Sequence, residues 1–164
     1  MSALIRNRQI DTDDYRSLAD DDALPASGGA IVSLARWQAE QAALEASGLR
    51  IGVRIPNTAD VAALWPTLSA RPLIALEFPA FGDGRAYSQA RVLRDRYGYP
   101  HEIRATGAAV VRDQIHSMYR SGINSFVLRD DQDPAKCLAA FADFDLAYQP
   151  GADAQTPIVR RLRA

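Results

Sequence analysis

Cysteine is nearly absent from this chain. Cys137 stands alone, which excludes an internal disulfide, a CxxC redox pair and a cysteine-ligated iron–sulfur cluster. Lysine is equally scarce: of 19 basic residues, all but Lys136 are arginine, whose rigid guanidinium fork suits carboxylates and oxyanions. The two histidines, His101 and His116, are not at metal-ligand spacing, so no metal site is expected. The nucleotide fingerprints GxGxxG and GxxxxGK[ST] are missing, and no cofactor is expected. No apolar run approaches a membrane span, and the acidic N-terminal stretch does not read as a signal peptide, so the expected location is the cytoplasm. With a net charge of −1, nothing draws the chain to nucleic acid or an anionic membrane.

What is present is an ordinary globular composition, 48% hydrophobic and 24% charged over 164 residues, enough for one domain with a real core. Residues 1–29 stand apart. Asp11, Asp13, Asp14, Asp20, Asp21 and Asp22 crowd twelve positions, and Pro25 to Gly29 follows as a linker. This segment is expected to be an acidic flexible arm of little weight in folding, or an arm that docks on a basic partner or on the chain's own arginines. Residues 30–150 form the expected α/β domain, and 151–164 a basic tail ending in Arg160, Arg161 and Arg163.

Strand and helix patterns alternate through the domain. Strands are expected at Ala30–Ala35, Leu49–Ile55, Leu73–Phe78, Pro100–Ala105, Ile123–Leu128 and, at an edge, Phe144–Tyr148. Helices are expected at Trp37–Ser47, Asp60–Leu68, Tyr87–Tyr97, Ala109–Arg120 and Ala135–Ala142, with Asn57 or Thr58 capping the second and Asp133-Pro134 opening the last. Pro66 is placed to end the second helix early. Such alternation implies an α/β fold with a mostly parallel sheet of five or six strands and helices on both faces, flavodoxin- or receiver-like. The alternative is an open partial β/α barrel. Either way, the strand ends near Phe78, Arg104 and Leu128 are expected on one rim.

The candidate site lies where the buried strand Leu73–Phe78 feeds Phe81-Gly82-Asp83-Gly84-Arg85 and a helix. Backbone N–H groups at such a turn can cradle an anion, with Arg85 and Ser88 in reach and Arg104 on the same rim as a second guanidinium. The competing role for this turn is plain helix capping by Asp83. Tyr87 and Arg91 complete the expected anion- or partner-binding set, and Arg112, Asp113 and Gln114 are second choices. Glu77 interrupts a buried run and is either a general base or the ion-pair partner of a neighbouring strand's arginine. Leu49–Ile55 puts Arg50 and Arg54 on one face. A catalytic constellation is not visible, and whether the chain is an enzyme stays open.

Phe81–Arg94, Glu102–Gly107, Arg112–Gln114 and Arg120–Phe126, with weaker likeness at Leu34–Trp37 and Leu49–Ile55, resemble the bacterial "domain of unknown function 934" family. Its members are typically encoded beside assimilatory sulfite reductase and often labelled probable oxidoreductases. The resemblance implies an accessory protein of sulfite reduction that binds the reductase, its electron donor, or a small oxyanion such as sulfite. The alternatives are an enzyme, labelled oxidoreductase, acting on a small anion or cofactor precursor, and a pure protein-interaction adaptor. Homo-oligomerisation is left open.

Overall fold

The computed structural model describes residues 3–144, 146–153 and 157–158. Eight strands form one sheet: β1 (Leu4–Arg6), β2 (Gln9–Asp11), β3 (Tyr15–Ser17), β4 (Gly29–Ser33), β5 (Arg50–Ile55), β6 (Leu73–Glu77), β7 (Glu102–Thr106) and β8 (Ser125–Val127). Their spatial order is β2-β1-β8-β7-β6-β5-β4-β3. From β3 to β8 each strand is parallel to the next in sequence, and β1 pairs antiparallel with both β8 and β2. Among the described residues, five α-helices accompany these strands, four between them and one after β8: α1 (Leu34–Ala46), α2 (Val61–Leu68), α3 (Arg85–Arg91, running into a π-helical turn at Val92–Arg96), α4 (Arg112–Arg120) and α5 (Pro134–Ala139).

The order corrects the doubly wound expectation. A flavodoxin-like sheet reverses direction of winding at a switch point, which sends helices to both faces. Here consecutive strands from β3 to β8 are neighbours, so right-handed crossovers carry α1 to α4 to one face. Period-two alternation confirms this placement. Ala30, Val32, Ile51, Val53, Ile55, Ile74, Leu76, Ile103, Ala105 and Phe126 form the main core with helical Trp37, Leu44, Leu68, Leu93, Ile115 and Met118. On the opposite face, Tyr15, Ile31, Leu73 and Ala75 make a second, smaller cluster. The architecture is the expected alternative, an open partial barrel, with more strands than the five or six expected and three of them from the N-terminal segment. The ends of β6, β7 and β8 do share one rim.

That N-terminal segment is not a solvated arm. It contributes β1 to β3 and buries Leu4, Ile5, Tyr15 and Leu18. Asn7 and Arg8, both at positive φ (50° and 63°), make the two-residue turn of the β1–β2 hairpin, the backbone handedness that such hairpins need. β2 and β3 lie on opposite edges of the sheet, yet only Thr12, Asp13 and Asp14 separate them. Four Cα steps reach at most about 14 Å, so the sheet must curl until its edges nearly meet. The acidic residues do this closing. Arg6 pairs with Asp11 (2.7 Å), Asp14 (2.9 Å) and Glu102 (3.4 Å), and Arg50 with Asp14 (2.8 Å). The chain's own arginines are thus the partners of its acidic run, the second of the two roles expected for it.

Element boundaries follow capping. Ser33 caps α1, accepting from Arg36 N at 3.0 Å. Asp60, rather than Asn57 or Thr58, caps α2, and α2 continues through Pro66 to Leu68. Asp133 caps α5 with Pro134 at its first position. α3 starts at Arg85 and α4 only at Arg112, each without a side-chain cap bond. Phe144 and Leu146–Tyr148 are not strand. Arg160, Arg161 and Arg163 lie outside the described residues.

Candidate functional site

In a barrel of parallel strands the interior fills from the strands' N-terminal ends, and functional groups gather where the strands finish. This chain follows that division. Tyr15, Ile31, Leu73 and Ala75 fill the lower interior. Gly52 keeps that layer tight, since a Cβ there would sit 2.9 Å from Leu73 Cδ2. Above it opens a cavity of about 450 Å³ lined by Asp13, Ser17, Ile31, Arg54, Glu77, Pro79, Arg104, Thr106, Gly107 and Val127. Ile31, Pro79 and Val127 give its walls an apolar character, and the polar groups come from β3, β5, β6, β7 and the β2–β3 link.

Two guanidiniums organise these polar groups. Arg54, on β5, holds Glu77 on β6 through Nε at 3.2 Å and donates from Nη1 to Ser17 Oγ at 3.0 Å. Its side chain is 28% exposed and lines the cavity. Arg104, on β7, is fully buried. Its Nε donates to Glu102 Oε1 at 2.9 Å, and its Nη1 lies 2.9 Å from both carboxylate oxygens of Asp13. Its plane is also near the Tyr15 ring, 5.5 Å from Cζ to centroid. Thr106 donates to Leu76 O at 3.3 Å, which leaves its oxygen free to accept.

The rim is built by the loops after β6 and β7. Gly107 is required there: its φ is +109°, and a Cβ would fall 2.6 Å from Phe78 O. That close approach lets Ala109 N donate to Phe78 O at 3.1 Å while Phe78 N donates to Thr106 O at 2.7 Å, locking the two loops together.

The electrostatics of the closing network are one-directional. Burial opposes ionisation of Asp14, but hydrogen bonds from Arg6 and Arg50 outweigh it and hold the carboxyl at about 2. Asp11 is likewise lowered, chiefly by its bond from Arg6. Burial raises the Tyr15 phenol, so Tyr15 stays neutral beneath Arg50 and Arg104.

Of the anion- or partner-binding set expected from sequence, Arg104 alone lines this cavity. Asp83 and Arg85 engage each other: Arg85 Nε and Nη2 bond Asp83 Oδ1 and Oδ2 at 3.0 and 2.6 Å, and Asp83 Oδ1 accepts from Arg85 N at 3.3 Å. That fork pair keeps Asp83 well below the usual carboxylate range and leaves Arg85 58% exposed, away from Arg104. Gly84 is the N-cap residue of α3, and Ser88 is exposed on that helix. Tyr87 O–H donates to Gln114 Oε1, and Gln114 Nε2 reaches Phe81 O at 3.4 Å. Burial pushes the Tyr87 phenol up to about 12, so this brace between α3, α4 and the β6 loop stays protonated. Arg91 pairs with Asp95 at 2.6 Å, and Arg112 with Asp143 at 2.8 Å, with Asp113 only at 3.9 Å. Sequence reasoning missed Asp13, Ser17 and Thr106 as lining groups; of the two roles expected for Glu77, the ion pair with a neighbouring strand's arginine is the one seen, with Arg54 as that arginine. The signal was available: Arg54, Glu77, Arg104, Thr106 and Ser125 break apolar strands at positions that share one face.

Among the described residues, no group of three His, Cys, Asp or Glu is placed to hold a metal ion, and no helix is long and apolar enough to cross a membrane. The family model described as a bacterial protein of unknown function, DUF934, matches residues 52–159, a span that takes in Arg54, Glu77, Arg104 and Thr106. Comparison with curated proteins returned no match.

Proposed function

This chain belongs to DUF934, a bacterial family of unknown function, and from that premise we propose that it binds a small anionic molecule in the mouth of its curled sheet. The observation that carries the reading is Arg54. Its guanidinium is fixed by Glu77 and Ser17 at the strand ends, and it lines an apolar-walled space of about 450 Å³. A preorganised guanidinium beside low-dielectric walls binds a carboxylate or oxyanion more strongly than one in open water. Such binding suits an accessory role in assimilatory sulfite reduction, in which the protein holds sulfite or another small anion for the reductase.

Calorimetric titration with sulfite, sulfate, phosphate and butyrate tests this. Arg54→Ala is expected to weaken binding by about ten- to a hundredfold, the loss of a charge-assisted contact worth roughly 1.5–3 kcal/mol. Arg54→Lys should restore only part, because it keeps the charge and loses the fork. Arg85→Ala should bind as wild type does. A wild-type protein that binds none of the four anions overturns the reading.

A second reading, docking onto the reductase or its electron donor, draws on Phe144, Leu146 and Tyr148, which are 62%, 51% and 76% exposed. Exposed aromatic side chains grouped in this way are typical interface anchors. Phe144→Asp with Tyr148→Asp should then abolish association with purified sulfite reductase and leave anion titrations unchanged. Association that persists in the double variant excludes this surface.

A further inference from the structure

Arg104 has the most deeply buried side chain of the ion-paired arginines among the described residues. It is 0% exposed on the interior face, and Glu102 beside it already neutralises its charge through Nε at 2.9 Å and Nη2 at 2.8 Å. Both approaches use one oxygen, Glu102 Oε1, so Nη2 has an ion-pair neighbour but no aligned hydrogen bond. A second buried group next to it is also unsatisfied. Ser125 stands opposite Arg104 in the β7–β8 register, on the same face, is 0% exposed, and its Oγ has no hydrogen-bond partner. Buried polar atoms without partners are rare and costly; here two stand on neighbouring strands, and Arg104 lines the cavity.

The acceptor now nearest Arg104 Nη1 belongs to the chain itself. Asp13 puts both carboxylate oxygens 2.9 Å from the single nitrogen Nη1, a crowded arrangement that leaves the Nη1–Nη2 fork unused. A bidentate partner would take one hydrogen bond from each nitrogen. Asp13 is 34% exposed, lines the cavity, and sits in the middle of the three-residue link between β2 and β3.

We propose that Arg104 and Ser125 form a second, inner anion subsite that Asp13 masks, so that the cavity takes a molecule with two anionic groups, such as a dicarboxylate. One group meets Arg54 at the mouth. The other displaces Asp13 and takes the Arg104 fork with Ser125 Oγ. A bare inorganic oxyanion fills only a small part of about 450 Å³, whereas a short carbon chain between two acidic groups would also cover Ile31 and Val127. This inference rests on the anion-binding reading above and specifies its ligand class.

The probes are succinate, with two carboxylates, and butyrate, with one, titrated into wild type and Asp13→Asn. The amide keeps an oxygen to accept from Tyr15 N, as Asp13 Oδ1 does at 3.0 Å, and removes the competing charge. Wild type should bind succinate at least about tenfold tighter than butyrate. Asp13→Asn should tighten succinate by about another tenfold, and by more than it tightens butyrate. In wild type, the Arg104 Nε–H resonance should shift on adding succinate and not on adding butyrate, a measurement independent of how well the variant folds. If butyrate binds as tightly as succinate and the Arg104 resonance is still, the inner subsite falls while the outer one at Arg54 stands. If neither acid binds wild type or Asp13→Asn, the inner subsite falls, and the outer one falls with it only if sulfite, sulfate and phosphate also fail to bind.

Discussion

At the scale of single residues, two arginines equally prominent in the sequence have opposite fates. Arg85 closes on Asp83 two positions away, a pair that needs no fold and sits in solvent. Arg104 is drawn inside by partners ninety-one residues away in sequence and two residues away, Asp13 and Glu102. Gly107 shows the same contrast between local and distant causes. Its positive φ is a local property, but its contact with Phe78 O is not. Gly107→Ala would strain the backbone and press the Cβ on that carbonyl, at a cost of about 1–3 kcal/mol. Thermal melts should show a fall of about 3–10 °C for a domain of this size, and an unchanged melting point would refute the close approach. Asp14 carries a pH prediction. Its folded pKa of about 2 lies below the ordinary 3.8, so its ion pairs stabilise the fold above pH 3.8 and lose that effect as pH falls toward 2. The gap in melting temperature between wild type and Asp14→Asn should therefore close across that interval. A gap that stays constant to pH 2 would show that Asp14 is not held by Arg6 and Arg50.

Among the elements, the N-terminal segment departs most from its composition. Its aspartates suggest a solvated tail, because charge of one sign and few apolar residues ordinarily cannot offset the entropy of ordering. Three short strands escape that rule by adding to a sheet already formed. Leu4, Ile5 and Leu18 are at most 2% exposed, and burying three such side chains contributes roughly 5–9 kcal/mol. That is comparable with the whole stability of an ordinary domain. Deleting residues 1–18 should abolish cooperative unfolding followed by circular dichroism. A truncated protein that still melts sharply within a few degrees of wild type would return the segment to the status of an arm. β5, by contrast, was fully legible: Leu49–Ile55 alternates, and the structure keeps Ile51, Val53 and Ile55 buried against the helices with Arg54 on the other face.

For the molecule as a whole, the sheet order sets the pattern of local stability. β6 and β7 have paired strands on both sides, while β2 and β3 are the edges. Native-state hydrogen exchange should find the slowest amides in Ile74–Leu76 and Ile103–Ala105, near the global unfolding limit, and far faster exchange in Gln9–Asp11 and Arg16–Ser17. Equal protection of β2 and β6 would contradict the open, curled sheet.

Much of this protein was determined locally by its sequence. Strands β4 to β8, the five helices, the Asp133-Pro134 start and the parallel winding all follow from period-two and helical patterns that act over a few residues. So does the family membership. Only the tertiary structure decided whether the winding would reverse or continue, and hence that the helices share one face and the other face curls around a cavity. Consecutive and reversed strand orders use the same local patterns and similar connection lengths, so nothing in a short window separates them. The cavity depends on that choice. Asp13 and Ser17, Arg54, Glu77 and Arg104 come from four separate stretches of chain, and they meet because the sheet bends until β2 and β3 are bridged by three residues.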